Sequence, residues 1–83
     1  MEEEVGKVFK YFRKPSVAAI KIENGEVEVG DTLRFEGDHT DFEQEVESME
    51  IDGEEVEKIG PGDEVGIKVE ERVRKNDKVF RKD

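Results

Sequence analysis

Few side chains in this sequence could carry out nucleophilic chemistry. His39 is the only histidine, and the side-chain hydroxyls are those of Tyr11, Ser16, Thr32, Thr40 and Ser48. A catalytic triad needs the imidazole beside a serine and a carboxylate. Almost any acidic loop of this chain could supply the carboxylate, so such a match carries little information. We therefore expect His39 to lie exposed in a hairpin loop, and we predict no catalytic residue and no enzyme activity.

Acidic side chains alternate along one segment in a way that could bind a metal. Asp41, Glu43, Glu45 and Glu47 fall on one face of a strand, and carboxylate oxygens are ligands for hard cations. The EF-hand spacing is absent, and residues 52–53 (Asp-Gly) are typical of a turn. The sequence therefore favours a solvated acidic strand face, with no metal and no cofactor.

Charge is distributed unevenly along the chain. The 83 residues contain 14 Lys+Arg and 24 Asp+Glu, for a net charge of −10. Residues 22–64 contain 17 acidic and two basic side chains, whereas residues 1–21 and 65–83 carry net charges of +2 and +3. If the two ends of the chain lie side by side, their cations form one basic patch on an acidic body.

Cations and aromatic rings are interleaved near the N-terminus, over residues 7–14. Aromatic faces that stack bases, beside cations that neutralise phosphates, are what single-stranded RNA binding needs. The candidate residues for binding RNA or a partner are Lys7, Lys10, Tyr11, Phe12, Arg13, Lys14, Arg72, Arg74 and Lys75, with Arg81 on the same patch. An alternative stays open: Phe9 or Phe12 fills the core, the cations pair with nearby glutamates, and the net negative charge repels polyanions.

The composition predicts strands to position these residues. Val and Ile number 16, whereas Leu occurs once and Ala twice, and β-branched residues favour strands over helices. No segment shows a sustained apolar period of 3.6 residues, which indicates little or no helix. Alternating apolar runs between turn signals predict strands at 5–12, 16–23, 31–36, 64–70 and 77–81.

Strand parity predicts which residues face the core. The inward residues are Ala18, Ile20, Ile22, Leu33, Phe35, Val65, Ile67, Val69 and Val79. Residues 41–52 need an irregularity, because Phe42 and Val46 share one parity while Met49 and Ile51 have the other. We expect a β-bulge at about residues 47–48.

A Gly-Asp or Asn-Asp pair precedes three strands, at 30–31, 62–63 and 76–77. Gly or Asn supplies a positive φ, and Asp can hydrogen-bond the nearby backbone, so each pair predicts a tight turn. Six or so short strands without a covering helix favour closure of the sheet on itself. The predicted fold is all-β: a small six-stranded Greek-key closed β-barrel, a single domain over residues 1–83 with frayed ends at 1–4 and 82–83.

Several class-level expectations follow from composition. There is no cysteine, the N-terminus is acidic where a signal peptide would be basic, and no apolar run has the length of a membrane span. We expect a cytoplasmic protein that does not enter a membrane and is a monomer. Abundant Glu and Lys with few Asn, Gln and Met is typical of hyperthermophiles.

Two known families share sequence features with this chain. Residues 27–33 (Val-Glu-Val-Gly-Asp-Thr-Leu), 46–51 (Val-Glu-Ser-Met-Glu-Ile) and 56–67 resemble, in order and spacing, the second domain of translational GTPases of the elongation factor Tu type. The resemblance covers residues 5–70. Residues 37–49 are more similar still to the C-terminal barrel of the collagenase-like peptidase family, whose members are linked to RNA modification.

Both resemblances imply the six-stranded translation-protein barrel, and they imply two different functions. One is a non-catalytic barrel that contacts tRNA, the ribosome or another RNA through the basic–aromatic patch. The alternative is a protein-interaction accessory module for an RNA-modifying or peptidase-like enzyme. No G-x-x-x-x-G-K-[ST] motif occurs in the chain, so we predict no GTP binding.

Overall fold

The computed structural model describes residues 2–82, which form ten β-strands and no helix. The strands are β1 Glu2–Phe12, β2 Val17–Ile22, β3 Val27–Glu28, β4 Thr32–Gly37, β5 Thr40–Glu45, β6 Met49–Ile51, β7 Glu54–Val56, β8 Lys58–Ile59, β9 Glu64–Lys68 and β10 Lys78–Lys82. The predicted all-β class is confirmed. Among residues 2–82 there is no helix that is long and apolar enough to cross a membrane. Residues 1 and 83, part of the segments expected to fray, lie outside the described range.

The strands form one eight-stranded antiparallel sheet in the order β5-β4-β10-β1-β2-β9-β6-β7, while β3 pairs with β8. The first and last strands are neighbours, with Glu2 opposite Lys82 and Lys7 opposite Lys78. One continuous apolar core lies under the curled sheet and contains every residue predicted to face inward. The alternation of apolar residues therefore predicted the buried face of β2, β4, β9 and β10.

The sheet over residues 2–82 is not closed into a barrel, so the predicted closed six-stranded Greek-key barrel is not confirmed. Within residues 2–82, no ladder joins the end strands β5 and β7. The reason lies at residues 46–48, where the chain leaves its pairing with β4 and crosses to pair with β9 as β6. The bulge expected at residues 47–48 is this crossing. The ladder register instead shifts in β1, between Glu4 and Gly6 and between Val8 and Lys10.

One side chain bridges the gap between β5 and the end of β9. Gln44 is 7% exposed; its Nε2 donates to the carbonyl of Lys68 at 2.7 Å, and its Oε1 accepts from the amide of Glu70 at 2.7 Å. A carboxamide offers both a donor and an acceptor, as a peptide group does. Gln44 therefore supplies one rung of strand-like pairing at a seam that the backbone ladder does not span.

The three Asp turns adopt the predicted conformation. The residue before each aspartate has positive φ: 102° at Gly30, 94° at Gly62 and 77° at Asn76. In each turn the aspartate amide donates to the carbonyl three residues earlier, and the aspartate carboxylate accepts from the amide of that same residue. The pairs are Glu28 with Asp31, Gly60 with Asp63 and Arg74 with Asp77.

The third turn differs because its carboxylate is buried. Asp77 is 5% exposed, and the Thr40 hydroxyl donates to the same Oδ2 that accepts from the Arg74 amide at 2.8 Å. A Cβ at position 37 would overlap Asp77 Oδ1, so this close approach requires Gly37. The Asp77 carbonyl also accepts from the amide of Val8 at 2.9 Å. One residue thus connects β1, the start of β10 and the β4–β5 hairpin.

Replacing Asp77 with alanine is expected to lower the free energy of unfolding by about 3 kcal/mol, because the Thr40 hydroxyl and the Arg74 amide both lose a charged acceptor at a buried site. Asp31→Ala is the matched control. It removes the same turn bond at a more exposed site, and about 1 kcal/mol is expected. Urea unfolding of both variants, compared through midpoints at unchanged slope, measures the difference. Equal losses would contradict the connecting role of Asp77.

Gln44→Leu is expected to cost about 2 kcal/mol, because it leaves the Glu70 amide without its acceptor at the seam. The loss should be local, so hydrogen exchange of the Glu70 amide should accelerate more than exchange in the centre of β2. Glu45→Gln, on the exposed side of the same strand, is the control and should leave both measurements unchanged. Unaltered protection of the Glu70 amide in Gln44→Leu would show that the seam does not depend on this side chain.

Candidate functional site

The β1–β2 hairpin positions the first half of the candidate surface. Its connection, residues 13–16, contains a cis peptide bond between Lys14 and Pro15 and a positive φ of 72° at Ser16. The Ser16 hydroxyl donates to the carbonyl of Val69 at 3.0 Å, and the Val69 amide donates back to the Ser16 carbonyl at 3.0 Å. The tip of the hairpin is therefore anchored to the end of β9. Arg13 and Lys14 lie exposed on it.

Two aromatic rings of this hairpin lie on the surface. Phe9 is 41% exposed and Phe12 is 43% exposed, so neither fills the core; that position is taken by Phe35, which is fully buried. The Lys10 ammonium lies 4.9 Å from the centre of the Phe12 ring, a cation–π contact. Tyr11, in contrast, is half-buried and packs against the core. Of the two aromatic residues predicted as candidates, Phe12 is exposed and Tyr11 is half-buried.

The register shift in β1 explains why Lys10 is on the surface. Simple alternation from the buried Val8 would turn Lys10 toward the core. The shift between these two residues adds one position, so that Phe9 and Lys10 are both exposed and Tyr11 faces inward. The exposed cations and rings of β1 are therefore Lys7, Phe9, Lys10 and Phe12.

Ion pairing separates the cations of this protein into two groups. In the part of the chain that the structure describes, the ion pairs involve Arg34, Lys58, Arg81 and Lys82. Hydrogen bonding to Glu2 raises the pKa of Arg34, and hydrogen bonding to Glu43 raises the pKa of Lys82. Arg34 also lies 3.4 Å from Asp41. The predicted acidic face of β5 is therefore exposed but partly neutralised by cations of β4 and β10.

The candidate cations form the other group. Within residues 2–82, none of them lies within ion-pair distance of a carboxylate: Lys7, Lys10, Arg13, Lys14, Arg72, Arg74 and Lys75. Arg81 does not belong with them, because its guanidinium lies 3.4 Å from Glu3. The alternative interpretation, that surface glutamates neutralise the cations, thus describes β4, β10 and Lys58 of β8, and not the hairpin.

The second half of the candidate surface lies in the connection between β9 and β10. Arg74 and Lys75 belong to the turn closed by Asp77, and the amide of Asn76 donates to the Val8 carbonyl at 2.7 Å, which brings this turn beside β1. Arg74 and Lys75 line a cleft of about 690 Å³ whose other wall is the β4–β5 turn, including His39. Arg72 is exposed in the same connection but is not part of the cleft lining.

Sequence reasoning missed two lysines of this surface. Lys7 lies opposite Lys78 of β10 and also opposite Lys21 of β2, and all three are exposed. The signal was present in the sequence, because Lys21 and Lys78 alternate with the buried Ile22 and Val79. The sequence could not predict that these lysines lie next to Lys7, because that depends on which strands pair and in what register.

The side chains considered for catalysis or metal binding lie in different parts of the fold and form no common site within residues 2–82. His39 is exposed in the β4–β5 turn, as predicted, whereas the Ser16 hydroxyl is hydrogen-bonded at the other hairpin. Ser48 lies exposed in the crossing at 46–48. Among the described residues, no three His, Cys, Asp or Glu side chains lie close enough together to hold a metal ion. Among the described residues, the side chains exposed along β1 and in the Asp77 turn are mainly cations and aromatic rings.

Comparison with known proteins shows similarity to two groups. No family model matches the chain. It is 40% identical over 80 residues to a collagenase of Porphyromonas gingivalis, covering 95% of this chain and 22% of that protein. It is 36% identical over 78 residues to an uncharacterized protease of Methanocaldococcus jannaschii, covering 93% and 19%. It is also 45% identical over 62 residues to elongation factor 1-alpha of Methanopyrus kandleri, covering 69% and 14%.

A solved structure shares the fold. The C-terminal domain of a Geobacillus thermoleovorans protein assigned to the U32 peptidases superposes with a TM-score of 0.90 at 23% identity, covering 98% of this chain and 93% of that one. A selenomethionine variant of the same domain gives a TM-score of 0.88 at 25% identity. The similarity to collagenase-like proteins is thus found, and the elongation-factor resemblance is found only in part, as similarity to elongation factor 1-alpha over 62 residues. The chain spans about a fifth of the length of the collagenase and protease that it matches.

Proposed function

We propose that this chain is a C-terminal accessory domain of the collagenase-like U32 peptidase type, a non-catalytic module that interacts with the rest of such an enzyme or with its substrate. The observation that carries the proposal is the 40% identity over 95% of this chain to a collagenase of which it spans only 22%. The fold likeness to a separately crystallised C-terminal domain supports it.

The described side chains agree with a binding role. A hydrolase needs a nucleophile within hydrogen-bond reach of a base. The Ser16 hydroxyl is instead committed to the Val69 carbonyl, and His39 lies in the turn of the β4–β5 hairpin. What the surface offers a partner is two regions of opposite charge: the acidic segment 22–64 and the cations of β1 and the Asp77 turn. Such a division suits oriented docking, because complementary potentials fix register.

A chimera tests the accessory role. We expect that the P. gingivalis collagenase, with its matching 80 residues replaced by this chain, keeps most of its collagen hydrolysis, while deletion of that segment lowers hydrolysis at least tenfold. The chain alone should hydrolyse no collagen. Circular dichroism checks that the deletion variant is folded. Full activity of a folded deletion variant would contradict the proposal, and so would hydrolysis by the chain alone.

A second function is supported by one specific observation, namely that Phe9 and Phe12 are exposed beside cations that form no ion pair within residues 2–82. This is the arrangement that stacks bases and neutralises phosphates in single-stranded RNA. The similarity to elongation factor 1-alpha agrees with it. In this proposal the module contacts tRNA or another RNA through the β1–β2 hairpin.

Charge reversal at the hairpin tip tests the RNA contact. Arg13→Glu/Lys14→Glu should weaken binding of bulk tRNA at least tenfold at low salt. The slope of log affinity against log salt should decrease in magnitude by about 1.4 to 1.8, the contribution of two phosphate contacts. Lys58→Glu/Lys68→Glu is the matched control, because both residues are exposed, lie outside the hairpin and give the same change of net charge. Equal weakening in the two double variants would contradict a site at the hairpin.

A further inference from the structure

Three lysines stand in one row across the middle of the sheet. Lys7 of β1 is the register partner of Lys21 on β2 and of Lys78 on β10. All three side chains are exposed, and none forms an ion pair with another described residue. The row ends at carboxylates on both sides, since Lys21 lies opposite Glu64 and Lys78 lies opposite Glu36.

Such a row is unfavourable for the isolated fold. Directly opposed side chains in an antiparallel pair lie about 5 Å apart at Cβ, and like charges at that distance destabilise the pair. Carboxylates are abundant in this chain, at 24 residues, yet none interrupts the row. The same sheet pairs its cations elsewhere, for example Lys82 with Glu43. Glu36 and Glu64 lie opposite the two outer lysines, but Lys7 has a lysine on each side. Local charge pairing therefore leaves Lys7 without a carboxylate opposite it, and an external anion would supply that charge.

The spacing of the row fits a chain of phosphates. Adjacent strands are about 4.8 Å apart, so the three backbone positions span about 10 Å. Long lysine side chains can adjust their ammonium groups within that span. The flanking Glu64 and Glu36 repel an anion at either end, which limits the site to a few charges. A flexible polyanion with closely spaced charges is the ligand that this geometry accommodates.

We propose that the row formed by Lys21, Lys7 and Lys78 binds the phosphodiester backbone of a single-stranded nucleic acid, with a base stacked on Phe9. Phe9 follows Lys7 by two residues on β1, and both side chains are exposed. The cleft next to Lys78 has Arg74 and Lys75 on one wall and Glu36 and Asp38 on the other. The exposed ring favours a nucleic acid over an acidic peptide, because carboxylates need no aromatic surface. This inference rests on the RNA contact proposed above and assigns its phosphate path.

The test uses Lys21→Gln/Lys78→Gln, because Lys21 on β2 and Lys78 on β10 lie away from the hairpin tip, residues 13–16, that the earlier charge reversal alters. Fluorescence anisotropy of a labelled twelve-residue oligouridylate, measured against salt, should show affinity at least fivefold lower than for the unaltered chain. The salt slope should fall by about 1.4, the value for two contacts on a single strand. Lys58→Gln/Lys68→Gln, with the same change of net charge, should bind like the unaltered chain.

Further measurements separate the possible failures. Thermal unfolding of Lys21→Gln/Lys78→Gln should show nearly unchanged stability, because the relief of repulsion from Lys7 offsets the lost attraction to Glu64 and Glu36. Phe9→Ala should weaken oligouridylate binding but leave any binding of a twelve-residue polyglutamate unchanged. Tighter binding of polyglutamate than of oligouridylate would overturn the inference in favour of an acidic peptide.

Loss of binding in Arg13→Glu/Lys14→Glu but not in Lys21→Gln/Lys78→Gln would overturn the lysine path alone. No binding by the unaltered chain would remove both RNA proposals and leave the accessory role.

Discussion

The buried carboxylate of Asp77 is the interaction on which the arrangement of the sheet depends. It holds its own turn through the Arg74 amide and receives the Thr40 hydroxyl from the β4–β5 hairpin. The carbonyl of the same residue is bonded to β1 through Val8. A buried carboxylate is costly unless its oxygens are hydrogen-bonded, and here Oδ2 has two donors from different parts of the chain. The Val8 bond adds to the ladder between β1 and β10, and the Thr40 bond joins the two segments that line the cleft.

Ion pairs divide the cations of the surface into paired and unpaired groups, which the amino-acid composition does not show. A net charge of −10 describes the whole chain, but cations of β4 and β10 are used against Glu2, Glu3, Glu36, Asp41 and Glu43. The cations of β1 and the Asp77 turn have no such partners among the described residues. Because exposed charges are screened over about 10 Å at moderate ionic strength, a ligand near β1 is affected mainly by these local cations. An acidic protein can therefore present a basic surface.

Much of the fold could be predicted from local sequence patterns. Alternation predicted the buried residues of β2, β4, β9 and β10, and the Gly-Asp and Asn-Asp pairs predicted all three turns, because both signals depend only on neighbouring residues. Strands β3, β7 and β8 have two or three residues and are too short to show alternation. Pairing between distant strands leaves no local pattern, so the open seam at residues 46–48 and the adjacency of Lys21, Lys7 and Lys78 were both missed. The exposure of Phe9 and Phe12 was left open, because a ring can fill either a core or a binding surface.

The open seam has a consequence for how copies of this chain meet in solution. A closed barrel hides its edges, whereas this sheet leaves β5 and β7 at its two ends, and unpaired edges invite strand-to-strand assembly. Among the described residues, carboxylates outside any ion pair lie on both edges: Glu45 on β5, and Glu54 and Glu55 on β7. Two such edges brought together would place negative charges opposite each other. Electrostatic repulsion between identical edges thus provides the protection against fibril-like stacking that geometric closure would otherwise give.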